Sequence, residues 1–263
     1  MFIHTTSLIG NNMKRIIFLC LILLSTNLVI TQITFVDSTK HIPTTDGGDA
    51  GASPITIVPP TMQTGDLVVV FTWARSSGSI LNIVEAGGQT WTSEIKGSYT
   101  STSTRIFWCQ YNGTWSASPQ FGATTATGFS GWMSVWRGTG GCTWTSDQEI
   151  VEVDDNTSPW ASTSGSTVGD TTLTMVSWTS PDDNTWSTSP GTGWTNFCSQ
   201  LRNLNGSDNS WTAAYRFDYA SVTSLGVASK TQTLNGDDVT NILRKTWRLD
   251  TPGASTVKKR VIQ

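Results

Sequence analysis

Histidine, the side chain most used for acid–base work, nucleophile activation and metal ligation near neutral pH, occurs only twice in the 263 residues, at His4 and His41. A Ser-His-Asp triad or a multi-histidine zinc site would hang on one imidazole, so neither is expected. Carboxylates are the remaining candidates. A carboxylate-based glycoside hydrolase needs only two acids at a fixed separation and stands as a distant third reading. The densest acidic stretch runs from Asp147 to Asn156. Asp154, Asp155 and Asn156 offer the oxygen ligands that a hard cation such as calcium takes. Asx residues also end strands by bonding their own backbone, and that turn reading is preferred here and at Asp182-Asp183-Asn184 and Gly236-Asp237-Asp238. No catalytic residue, metal ligand or cofactor is assigned.

Binding chemistry is better represented, because the chain carries 13 tryptophans. Trp73, Trp108, Trp132, Trp136 and Trp178 fall in strand patterns and are expected in the core or on sheet faces. Trp115, Trp160 and Trp186 fall in loops beside Gly, Ser, Pro, Asp and Asn. An indole face in such a loop can stack on a sugar ring or seat a protein partner, so these three are the candidate ligand-binding residues. The competing expectation is that each folds back over apolar surface at the edge of the domain.

The elements that would position these rings are strands. Gly65-Asp66 opens a run of β-branched, aromatic and apolar residues from Leu67 to Trp73, the composition of a strand buried on both faces. Leu67, Val69, Phe71 and Trp73 should face one way, and Val68, Val70 and Thr72 the other. In the strand from Arg105 to Tyr111, Phe107 and Cys109 should oppose Ile106 and Trp108. About a hundred residues on, Gly169-Asp170 opens a second such run that closes on Trp178. Gly88-Gln89-Thr90-Trp91-Thr92 likewise returns as Gly191-Thr192-Gly193-Trp194-Thr195. Other strands are expected at 32–36, 55–58, 90–95, 130–137, 148–153, 211–217, 222–234 and 239–249, with a loop from His41 to Pro54 and a flexible break at Gly138-Thr139-Gly140-Gly141. The prediction is an all-β sandwich, jelly-roll-like, of two pseudo-repeated halves in one domain.

Composition narrows the function. Charged residues make up 13% and the formal net charge is −3, which argues against nucleic acid as a partner. Ser and Thr supply roughly a quarter of the chain, so hydroxyls rather than charge hydrate the surface, as on extracellular and virion β proteins. Met13-Lys14-Arg15 and the apolar run after it have the build of a signal peptide or N-terminal hydrophobic anchor over residues 1–31. Any membrane contact is expected only through that segment, left uncleaved. The sandwich should occupy 32–251 and a flexible basic tail 252–263. Signal removal leaves Cys109, Cys142 and Cys198, hence at most one intramolecular bridge; Cys109 reads as a small buried hydrophobe, and a Cys142–Cys198 pair is one possibility. Asn112-Gly113-Thr114 and Asn205-Gly206-Ser207 match glycosylation acceptors.

The order of Gly65-Asp66-Leu67-Val68-Val69, Trp91-Thr92, Val135-Trp136-Arg137-Gly138, Gly169-Asp170, Gly193-Trp194-Thr195 and Ala214-Tyr215-Arg216 resembles β-sandwich proteins common among tailed-phage virion and minor-tail-type proteins. The resemblance spans about residues 33–249. It implies a structural or host-surface-binding role and supplies no catalytic residues. The expectation is therefore a non-enzymatic structural or adhesive module, extracellular or on a virion. Its partners would be a surface glycan or other virion or surface proteins. A secreted carbohydrate-binding module is the alternative.

Overall fold

The computed structural model describes residues 32–41, 53–76, 79–99, 101–124, 127–154, 160–162, 165–167, 169, 171–182, 185–203, 209–232 and 240–250. The signal-like segment, the basic tail, Asp155, Asn156, Asp183, Asn184, residues 236–238 and the triplet at Asn205 lie outside them.

Among the described residues fifteen strands follow one another: β1 Ile33–His41, β2 Ile55–Thr56, β3 Leu67–Arg75, β4 Leu81–Glu85, β5 Thr92–Tyr99, β6 Thr102–Gln110, β7 Gln120–Ala123, β8 Thr127–Gly138, β9 Thr143–Asp154, β10 Trp160–Ala161, β11 Thr172–Ser180, β12 Thr195–Asn203, β13 Asn209–Asp218, β14 Ser229–Lys230 and β15 Thr240–Asp250. All named pairs are antiparallel. The first half forms one sheet in the order β1-β8-β3-β6-β5. Read from its β9 edge, the second forms the same pattern as β9-β15-β11-β13-β12. The accessory pieces repeat as well: β2 pairs with β7 as β10 pairs with β14. The duplication expected from the two Gly-Asp runs is therefore a duplication of sheets, one per half, packed as a sandwich.

The alternation expected along β3 holds. Leu67, Val69, Phe71 and Trp73 enter the core between the sheets with Leu173, Met175, Trp211 and Trp247. Val68 and Val70 face outward, where β2, β4 and β7 cover them with Ile55, Leu81 and Phe121. Phe107 and Cys109 join that outer layer, and Ile106 and Trp108 the inner one. The second sheet has its own cover, in which Trp186, Trp194, Leu225 and Ala228 close over Val176, Trp178 and Ala214. A sheet buried on both faces needs near-continuous apolar runs, and β3 has one. β11 is equally buried but rich in Thr and Ser. It satisfies several hydroxyls across strands, as in Thr174 with Thr246 and Thr104 donating to Thr179, both at 3.0 Å.

Three expectations are corrected. Trp73 and Trp178 are not equivalent. Leu67 and Leu173 occupy matching positions opposite Trp136 and Trp247, but Trp178 comes five residues later and Trp73 six. A one-residue difference reverses the face, so Trp178 points into the outer cover. His41 ends β1 rather than standing in a loop, with Nδ1 3.1 Å from the Thr56 carbonyl. Of the 222–234 stretch, residues 222–232 are described and mostly irregular, with Ser229–Lys230 as a short strand, because they serve as cover rather than as part of the main sheet.

Candidate binding site

Of the three loop tryptophans, Trp115 is half-buried. Its ring stacks on Tyr111 at 5.4 Å between centroids and packs beside Trp91 on the outer layer of the first sheet. Gly87, at φ +65°, makes the room: a Cβ there would lie 2.7 Å from the Trp115 ring. Trp186 is buried at 5% exposure, and its indole N–H donates to Ser210 Oγ at 3.0 Å. It therefore lacks the open face that stacking on a ligand needs, contrary to the part-exposed loop position expected. Apolar cover for Trp178 and Ala214 is the physical reason. Trp160 pairs through its backbone with Lys230 in the β10–β14 ribbon, and its side chain lies outside the described residues. The three do not form one surface.

Part-exposed aromatics gather instead at the edge of the sandwich where β1 and β12 lie. Phe35, 43% exposed on β1, stands edge-on to Trp136 and to Phe197 of β12, at 5.1 and 5.4 Å. Phe197 meets Tyr215 at 6.0 Å, Tyr215 meets Phe217 at 5.2 Å, and Phe217 meets Tyr219, itself 50% exposed, at 6.5 Å. Trp132 closes the row against Phe197 at 5.1 Å. The row continues the inner core outward between the sheets, and a β-bulge between Phe35 and Asp37 bends the edge strand beside it. Sequence inspection missed it because its members come from β1, β8, β12, β13 and the turn after β13. Each alone reads as an ordinary inward strand residue.

A polar cavity of about 260 Å³ adjoins the end of β8. Gln63 to Asp66, Arg137, Gly138, Gly140, Gly141, Cys142 and Trp144 line it. Asp66 is 2% exposed; its carboxylate accepts Nε and Nη2 of Arg137, both at 2.8 Å, and the Gln63 amide at 2.8 Å. Its hydrogen bonds to the Asp66 carboxylate hold the Arg137 guanidinium above its usual range. The turn role expected of Asp66 is thus real, and an ion pair is added to it. Trp144 Nε1 is buried with no hydrogen-bond partner among the described residues. Gly140 and Gly141, at φ +51° and +71°, shape the hairpin that forms the cavity's rim. Burial, and then the Asp250 charge, push the Cys142 thiol up, so it is a poor nucleophile; its Sγ–H donates to the Thr139 carbonyl at 2.8 Å. Cys109, Cys142 and Cys198 are buried and none of them is in a disulfide, so the Cys142–Cys198 bridge is not formed.

At the opposite edge, where β5 and β9 lie, the buried amine of Lys245 contacts Glu94 Oε1 at 2.8 Å and Glu149 Oε2 at 3.4 Å. Trp108 Nε1 donates to Glu94 at 2.5 Å. Burial alone would raise the Glu94 carboxyl, but hydrogen bonds from Glu149, Lys245 and Trp108, with the Lys245 charge, hold it below the usual range.

No family model matches the chain, and neither a curated protein nor a solved structure matches it.

Proposed function

We propose that the protein is a non-enzymatic β-sandwich module of a virion or cell exterior that adheres to a host or surface component. The observation that supports this best is the aromatic row from Phe35 through Phe197, Tyr215 and Phe217 to Tyr219. Phe35 and Tyr219, about half exposed, are joined to the core through the partly buried Phe197, Tyr215 and Phe217, and such held rings offer a partner apolar area and π faces with little conformational entropy to lose. The Asp66–Arg137 cavity adds donors and acceptors near the end of the same strand, β8, that carries Trp136.

A carbohydrate-binding module is the second reading. It is favoured by the half-buried Trp115 and by the pairing of part-exposed rings with a sparsely charged, hydroxyl-rich composition. A glycan array probed with wild type, Phe35→Ala, Tyr219→Ala and Trp115→Ala tests both. Loss of one anchoring ring should weaken binding roughly tenfold, about 1.4 kcal/mol, while the exposed Phe35 and Tyr219 variants keep near-native unfolding midpoints. Wild-type binding by the Phe35→Ala/Tyr219→Ala double variant would remove the aromatic edge from the interface. Dependence on Trp115 alone would favour the carbohydrate module.

A further inference from the structure

Lys245 is only 1% exposed, and its surroundings are those of a condensation site. Three strands converge on its Nζ: β5 brings Glu94, β9 brings Glu149 and Ser146, and β15 brings the lysine itself. Glu94 Oε1 lies at 2.8 Å, Ser146 Oγ at 2.6 Å and Glu149 Oε2 at 3.4 Å. A register shift between Ser93 and Lys96 interrupts the ladder at Glu94, which is 10% exposed. Glu149 Oε2 and Glu94 Oε1 face the same Nζ, so a proton leaving the nitrogen has a second carboxylate within 3.4 Å to receive it. The Trp108 N–H holds the Glu94 oxygen on the other side at 2.5 Å. An amine, a carboxyl carbon, an oxyanion donor and a proton carrier are therefore fixed together with little water. Lys230 is equally buried, with Nζ 2.5 Å from Asn196 Oδ1, but no carboxyl among the described residues is hydrogen-bonded to it. It lacks the proton carrier.

We propose that Lys245 and Glu94 condense into an intramolecular amide, with Glu149 carrying the proton, so that a covalent bond joins the two sheets. One proton first passes from the Lys245 ammonium to the Glu94 carboxylate. The nitrogen lone pair attacks Glu94 Cδ, the C–N bond forms, and the Trp108 N–H receives the developing oxyanion. Glu149 takes a proton from the nitrogen and passes it to the departing hydroxyl; the C–O bond breaks and water leaves. One ammonium and one carboxylate become one amide and one water, with no change of oxidation state. In dilute solution water opposes this step. Here the reactants belong to one folded chain, where effective molarities of about 10⁵–10⁸ M are reached.

Intact mass and peptide mapping of the purified full chain provide the test. Wild type should be lighter than its sequence mass by one water, with Lys245 and Glu94 recovered in one branched peptide. Lys245→Arg should keep its full mass. Glu94→Gln should be lighter by one ammonia, the leaving group expected of an amide acceptor and of no ion pair. Glu149→Gln should fold with the water retained, and its loss there would remove Glu149 from the mechanism. Full mass in wild type, with both peptides unbranched, overturns the proposal. That reading needs no variant, so a variant that fails to fold leaves the test intact.

Discussion

Trp73 and Trp211 are a matched pair on which the energetics of the core can be tested. Their rings stack at 4.9 Å with 5° between planes, and both are buried at 1% exposure or less. They differ in one respect. Trp73 Nε1 donates to Asn209 Oδ1 at 3.1 Å, whereas Trp211 Nε1 has no partner among the described residues. Replacing either by Phe trims part of a buried ring, a cavity cost of about 1–2 kcal/mol scaled from full Trp→Ala losses. In Trp73→Phe the Asn209 carbonyl also loses its donor, which adds about 1–3 kcal/mol for a buried acceptor left unpaired. In Trp211→Phe the unpaired N–H disappears, and relief of its desolvation offsets much of the cavity cost. Trp73→Phe is therefore expected to be less stable than Trp211→Phe by at least about 2 kcal/mol. Urea unfolding followed by circular dichroism reads this directly. At a slope of about 3 kcal/mol/M the midpoints separate by roughly 0.7 M. Equal midpoints, or a lower one for Trp211→Phe, would refute the reasoning.

Val69→Asp places an unpaired carboxylate between the sheets at a fully buried position and should cost several kcal/mol, read as loss of cooperative unfolding or a much lower midpoint. Val58→Asp, at a position 66% exposed, should stay within about 0.5 kcal/mol of wild type in the same assay. Lys230 gives a pH signature. Burial pushes its amine down to about 8, against a smaller opposing effect from Cys198, so above that pH the unfolded chain holds more protons than the folded one. Stability should rise relative to Lys230→Met by about 1–2 kcal/mol between pH about 7.5 and about 9.5, then level off in the usual lysine range. A flat or falling difference across that window counts against a buried amine of low proton affinity.

What the sequence disclosed followed from local periodicity. The two faces of β3 and β6 are legible because Leu67/Val69/Phe71 and Val68/Val70 alternate without a bulge. The repeated Gly-Asp runs disclosed the duplication because each opens the central strand of a sheet. The side assigned to Trp178 was not legible, since a one-residue difference in a Thr-rich run leaves no mark on composition yet reverses the face. Asp66 read as a turn residue because its second partner, Arg137, lies 71 positions away. Trp186 read as exposed because its Ser, Thr and Asn neighbours are those of a surface loop. The cover that buries it, Leu225 and Ala228, arrives from a stretch that reads as strand. The aromatic row and the Lys245 cluster share one difficulty: each is assembled from three or more strands, and long-range register has no local sequence signature.

The duplication also explains why the two edges of the sandwich differ. Symmetry of the halves makes the β5–β9 edge and the β12–β1 edge equivalent, since β12 corresponds to β5 and β1 to β9. Glu94 follows the turn residue Trp91 by three positions, and Phe197 follows Trp194 by three. One site thus holds a carboxylate in the first half and an aromatic ring in the second. The partner position diverges in step: Lys245 lies opposite Met175 as Ser134 lies opposite Val69, so the lysine facing Glu94 corresponds to Ser134. Ser134 is hydrogen-bonded to the Val69 carbonyl and the Trp136 indole rather than to a charged group. Charge closes one edge through Lys245, Glu94 and Glu149, and the other is left to rings that need no ionic partner and stay part-exposed. The adhesive surface we propose at the β1–β12 edge would thus sit on a sandwich whose opposite edge is held by the Lys245 ion pairs, so that engaging Phe35 and Phe197 would not loosen the sheets behind them.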